Sequence, residues 1–123
     1  MSVYELPTVT VSGSLEAMGE GQGEAFRETI QRFVPMRFAA VHDYFKEFGR
    51  GTVPALRDVG RQCFDLFQSW DPDGYREHCA VARGAGVDAL ELYTTANMTD
   101  FRDVVMLAGR ADAEGCSAVL LPG

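Results

Sequence analysis

The stretch FRETIQRFVPMRFAAVHDYFKEF, residues 26–48, decides the fold class. Phe26, Ile30, Phe33, Val34, Phe38, Val41, Phe45 and Phe48 follow the three-to-four-residue period that gathers side chains on one face of an α-helix. An apolar face of that length needs partners, so the chain is expected to be mainly helical. Pro35 removes a backbone donor inside the pattern and predicts a kink there without an end. Gly49 and Gly51 are expected to stop the helix.

The chain after this helix reads as more of the same. Thr52 can cap a second helix, with Pro54 tolerated in its first turn and a buried stripe of Leu56, Val59, Cys63, Phe67 and Trp70. Asp71-Pro72 marks a third start, a capping carboxylate followed by proline. That helix should carry Tyr75, Cys79 and Ala82 inward and end near Gly84 or Gly86. Asp88 and Glu91 have capping-box spacing and open a fourth helix through Leu90, Tyr93 and Asn97. From Phe101 to Glu114 the pattern weakens into a loop or short helix, and Ser117 to Leu121 reads as a strand before Pro122-Gly123.

Before residue 26 the signals are mixed. Val9, Thr10 and Val11 predict a short strand turning at Ser12-Gly13, and Ser14 can cap a brief helix from Leu15. Gly19, Gly21 and Gly23 are expected to break or bend that helix. A terminal strand attached to a helical body leaves backbone groups unpaired, and two short strands make a poor sheet. The pattern therefore implies further strands, from another chain or from a polypeptide cut away, with residues 1–123 forming a single unit of a larger domain.

Composition narrows the partners. With 46% apolar residues the chain can bury a core. Its net charge of −7, from 11 basic residues among 18 acidic ones, opposes nucleic-acid or anionic-membrane binding. No run approaches the roughly 20 apolar residues of a membrane span, and Met1 to Thr10 lacks the pattern of a signal peptide. The reading is a cytoplasmic protein with no nucleic acid and no membrane partner. Three cysteines without Cys-x-x-Cys spacing and only two histidines, His42 and His78, predict no disulfide framework and no metal site.

Cys63 and Cys79 fall on apolar helix faces and read as packing thiols. Cys116 follows a glycine, lies outside any expected helix and begins the terminal strand. A thiol there can meet a substrate or fill a strand position. His42 reads as a surface or boundary residue, with Asp43 turned to another side. His78 and Cys79 are helix neighbours pointing about 100° apart, which opposes a Cys–His pair. Asn97-Met98-Thr99-Asp100 is either a helix cap or a polar network supporting a site. Gly19 to Glu24 lacks the Lys-Ser/Thr ending of a phosphate loop.

Taken in order, four stretches resemble the acyl-coenzyme A:6-aminopenicillanic acid acyltransferase family, the isopenicillin N acyltransferase-like proteins. They are Ser12 to Gly19 with Gly21-Gln22-Gly23-Glu24, Asp71 to Tyr75 running on to Ala82-Arg83-Gly84-Ala85-Gly86-Val87, Asn97-Met98-Thr99-Asp100, and Gly115-Cys116-Ser117. Gln22 stands where the family commonly has His, and Met98 where it has Arg.

The resemblance implies an N-terminal nucleophile hydrolase with two sheets between helical layers, an αββα domain. This chain would be its α+β, mainly helical α chain, with one or two short strands completing the sheet of a partner β chain from the same precursor. The family's cut falls between Gly and Cys, here Gly115 and Cys116, and the freed α-amine, of pKa about 8, serves as base for its own thiol. A cut after Gly123 would instead put the nucleophile on the next residue and leave Cys116 as a pocket residue or a relic. Asn97, Thr99 and Asp100 would line or support the pocket. The implied substrates are a small-molecule amide or thioester acyl donor and an amine acceptor, in hydrolysis or transfer, with no cofactor. A non-catalytic helical binding or regulatory module is the competing reading.

Overall fold

The computed structural model describes residues 5–107, and within them the chain forms six helices. They are α1 (Leu15–Ala25), α2 (Arg27–Phe48), α3 (Val53–Trp70), α4 (Pro72–Ala85), α5 (Ala89–Ala96) and α6 (Met98–Met106). The mainly helical body is as expected. No strand occurs among the described residues. Val9 to Val11, expected as a strand, is irregular. β-Branched residues favour a strand only where a neighbouring strand can pair with them, and none of the described residues supplies one. The strand expected at Ser117 to Leu121 lies outside the described residues.

The local start and stop signals were legible. Ser14, Thr52, Asp71 and Asp88 each accept a hydrogen bond from the amide three residues on, at 2.9 to 3.2 Å. Gly49 and Gly86 end α2 and α4 with φ of 62° and 70°, the left-handed conformation that costs glycine nothing. α2 runs unbroken through Pro35. Of the stretch from Phe101 to Glu114, expected as a loop or short helix, Phe101 to Met106 belongs to α6, and the part after residue 107 lies outside the described residues.

The glycines of α1 do not break it. The helix runs through all three and ends at Phe26, whose φ of −111° and ψ of 21° make it the joint between α1 and α2. Gly19 and Gly23 are buried against α4. A Cβ on Gly19 would stand 2.6 Å from the Glu77 carbonyl oxygen and 2.8 Å from the Ala80 Cβ, and one on Gly23 would strike the Val81 carbonyl. From the other side, a Cβ on Gly84 would strike the Glu20 carbonyl. Small residues one turn apart on both helices let the backbones touch, and that contact offsets the helix propensity lost at glycine. Glu16 with Arg76 and Glu20 with Arg83 (2.7 Å) pair along the exposed rim.

α2 is the spine. Its Val41 and Phe45 join Leu56 of α3 and Met98 and Phe101 of α6 in one core cluster. Its Val34 joins Ala82 of α4 and Leu92 of α5 in another. Near its start, Arg27 Nη1 donates to the Gly84 carbonyl at 3.2 Å and Gln31 Nε2 to the Ala85 carbonyl at 2.9 Å. These carbonyls close α4, where helix geometry leaves acceptors without intrahelical partners.

The expected apolar stripes are covered only in part. On α2, Phe48 is 53% exposed beside Tyr44. On α3, Leu56 is fully buried and Val59, Cys63 and Phe67 are half-buried, but Trp70 is 83% exposed. Helical period gives a face, while burial needs a neighbour. In the last turns of α3, Phe67 packs on Tyr93 of α5, whereas Leu66 and Trp70 are left exposed.

Candidate functional site at the α5–α6 elbow

The elbow is built by Asn97, which closes α5 and opens α6. Its backbone N–H and its side-chain Nδ2 both donate to the Tyr93 carbonyl, at 3.1 and 2.9 Å. Of the two readings of this polar segment, the side chain of Asn97 takes the capping one. No side chain caps the first turn of α6, so the positive end of that helix is left to other partners.

Thr99 lies in that first turn and faces α2, where Arg37 Nη2 donates to its Oγ1 at 3.4 Å. Asp100 is exposed and does not meet them. Around Thr99 is a cleft of about 130 Å3 between α2 and α6, lined by Arg37, Val41, Tyr44, Met98 and Arg102 among others. Arg102 lies 4.3 Å from the Tyr44 ring centre and pairs with Asp103 at 3.1 Å. Arg37 forms no ion pair among the described residues, and its Nε is buried without a hydrogen-bond partner.

Arg37 and Arg102 were not singled out from the sequence, yet Arg37 carried a signal. It sits four residues after Phe33 and four before Val41, so a guanidinium stands on the apolar stripe of α2. Met98 is buried at 2% exposure in the α2–α3–α6 core.

A second cluster fills the space between α3, α4 and α5. Phe67 stacks on Tyr93 with ring centres 5.3 Å apart, and His78 meets the Tyr93 ring edge-on at 5.7 Å. His78 Nε2 donates to the Ala89 carbonyl at 2.8 Å, which fixes that tautomer and ties α4 to the start of α5. Burial raises the pKa of the Tyr75 hydroxyl, and its hydrogen bond with the Cys79 thiol adds to the rise. Burial also raises that of Tyr93, with Cys63 close by. His78 makes its hydrogen bond to the Ala89 carbonyl, not to Cys79. Cys63 and Cys79 are both half-buried, as packing thiols.

His42 departs from expectation in one detail. Its Nδ1 meets Asp43 Oδ1 at 3.3 Å, because both side chains are exposed and free to fold toward each other. No group of three or more His, Cys, Asp or Glu that could hold a metal occurs among the described residues. No helix among them is long and apolar enough to cross a membrane. Cys116, Gly115 and Gly123, the candidate nucleophile and cut positions, lie outside the described residues.

Comparison of the chain with protein-family models, curated proteins and solved structures returns no match.

Proposed function

We propose that the chain is the helical α part of a self-cleaving amidase or acyltransferase of the N-terminal nucleophile class, acting with a β chain cut from the same precursor. The observation that carries the reading is the uncovered end of α3. Leu66 and Trp70 are 67% and 83% exposed, and with Cys63, Phe67 and Tyr93 they line an apolar groove of about 210 Å3. A continuous apolar patch with an exposed Trp marks a surface that another element covers. A helical layer presents such a face to a sheet. The mating of the two glycine-containing motifs, Gly19 and Gly23 against Ala80 and Gly84, adds support.

The chemistry rests on Gly115-Cys116-Ser117. In maturation the Cys116 thiol adds to the Gly115 carbonyl, the peptide C–N bond breaks, and the thiol proton passes to the nitrogen. Water then hydrolyses the resulting thioester and leaves Cys116 with a free α-amine. In turnover that amine takes the thiol proton, the thiolate attacks a small-molecule amide or thioester, and the leaving amine or thiol takes the proton. The acyl group passes from sulfur to an amine or to water.

Denaturing mass spectrometry of the product of the whole gene tests this. The expected result is two fragments separated at the Gly115–Cys116 bond and a single uncut chain for C116A. An uncut wild-type product overturns the reading, and a cut after Gly123 moves the nucleophile to the next residue. One observation favours a helical binding module instead: the described helices hold two core clusters of their own. That reading predicts no processing at all.

A further inference from the structure

We propose that the cleft between α2 and α6 is a binding site for the carboxylate of a small organic acid, held by Arg37 and Thr99 against an apolar wall of Val41, Tyr44 and Met98. The inference does not depend on the amidase reading: Thr99 is also expected to line or support that pocket, but Arg37 and the cleft stand on geometry of their own. Three independent features of the cleft converge on an anion. Arg37 is charged and without a carboxylate partner among the described residues, and its Nε is sealed from solvent with no acceptor. A guanidinium that has lost water at one nitrogen gains from an anion at the others. Thr99 contributes a hydroxyl already 3.4 Å from Arg37 Nη2, together with an amide in a helix turn that no side chain caps.

The charge count selects the anion. Arg102 on the far wall pairs with Asp103 at 3.1 Å, so among the described residues Arg37 is the cation of the cleft that has no carboxylate partner. A carboxylate matches a single guanidinium in charge and in planar fork geometry, whereas a phosphate dianion would leave charge unpaired. The Tyr44 ring and the Val41 and Met98 side chains ask for an apolar body behind the carboxylate. A cleft of about 130 Å3 admits one no larger than a small ring or a short acyl chain.

Benzoate, benzamide and inorganic phosphate are suitable probes, titrated into the full chain and followed by the NMR signals of the Arg37 Nε–H and the Thr99 amide. Benzoate is expected to shift both saturably and benzamide neither. R37Q should weaken benzoate binding by about tenfold or more, the loss of one charged hydrogen-bond donor. R37K, which keeps the charge and loses the fork, should fall between. T99V should weaken binding with α6 intact, so that a folding defect in R37Q does not leave the test open. Equal binding of benzamide, unchanged binding by both R37Q and T99V, or tighter binding of phosphate than of benzoate would each overturn the proposal.

Discussion

Gly19 of α1 lies against Ala80 of α4 so closely that a Cβ on the glycine would stand 2.8 Å from that of Ala80. The contact is made by backbone more than by side chains, so its stability depends on what is missing from α1. Substitution at Gly23, whose added Cβ would strike the Val81 carbonyl, should force the helices apart. G23A is expected to cost about 1–3 kcal/mol, as overpacking does. Gly21 points elsewhere: a Cβ there would meet only the Val11 side chain, at 3.2 Å, and no backbone. G21A should therefore be neutral or stabilise by up to about 1 kcal/mol, the helix propensity regained. Urea melts should show G23A destabilised and G21A not; equal losses in both would count against the interlock.

The cap of α4 is the most buried of the four. Asp71 accepts from the Gly74 amide at 3.0 Å in a part-buried setting. D71A should cost about 1 kcal/mol and lower the melting temperature by about 4–8 °C. D71N, which keeps an accepting oxygen, should recover most of it. A melt of D71A indistinguishable from wild type would show the cap to be idle.

Trp70 is the chain's only tryptophan and is 83% exposed. Its emission in the isolated chain should be that of a solvated indole, open to quenching by iodide. W70Q should change the stability of the isolated chain by no more than about 0.5 kcal/mol. In the processed protein the proposed β chain should cover the residue, shift its emission to the blue and protect it from iodide. Equal quenching before and after assembly would argue against α3 as the docking face.

Two half-buried tyrosines set an alkaline limit. Burial raises the pKa of Tyr75 and Tyr93 in the folded chain above the usual value of about 10. The unfolded chain therefore loses these protons first as pH rises. Their contribution is full below about pH 10 and is lost as pH climbs toward the folded values. The melting temperature should drop above about pH 10, and Y93F should flatten that drop. A Y93F profile parallel to wild type would exclude Tyr93 as the source.

Asn97 holds the elbow through two bonds to one carbonyl, that of Tyr93. N97A removes the side-chain bond and should cost about 1 kcal/mol. Because α6 carries Thr99 and Arg102 into the cleft, the same change should broaden the NMR signals of both residues. Sharp, unshifted signals in N97A would mean that packing alone sets the angle.

Much of the helical plan was written locally. Ser14, Thr52, Asp71 and Asp88 each cap an amide only three residues away, and Gly49 and Gly86 need only their own φ. Interactions of that range can be read from a short stretch of sequence because both partners lie within it. The apolar period of residues 26–48 likewise marked α2 as the spine, and the ambiguous Asn97 lay at a true helix junction.

What tertiary structure alone decided was which neighbour each face would meet. Three glycines in eleven residues argue for a broken helix unless a second backbone comes close enough to make them necessary, and α4 does so from some 60 residues away. Trp70 fits the period of a buried stripe, yet no helix among those described reaches it. Arg37 looks like a stray charge on an apolar face until α6 brings Thr99 to it across 62 residues. Sequence period determines the direction in which a side chain points. Burial, close approach and charge pairing depend on a second segment, and only the folded chain brings that segment into place.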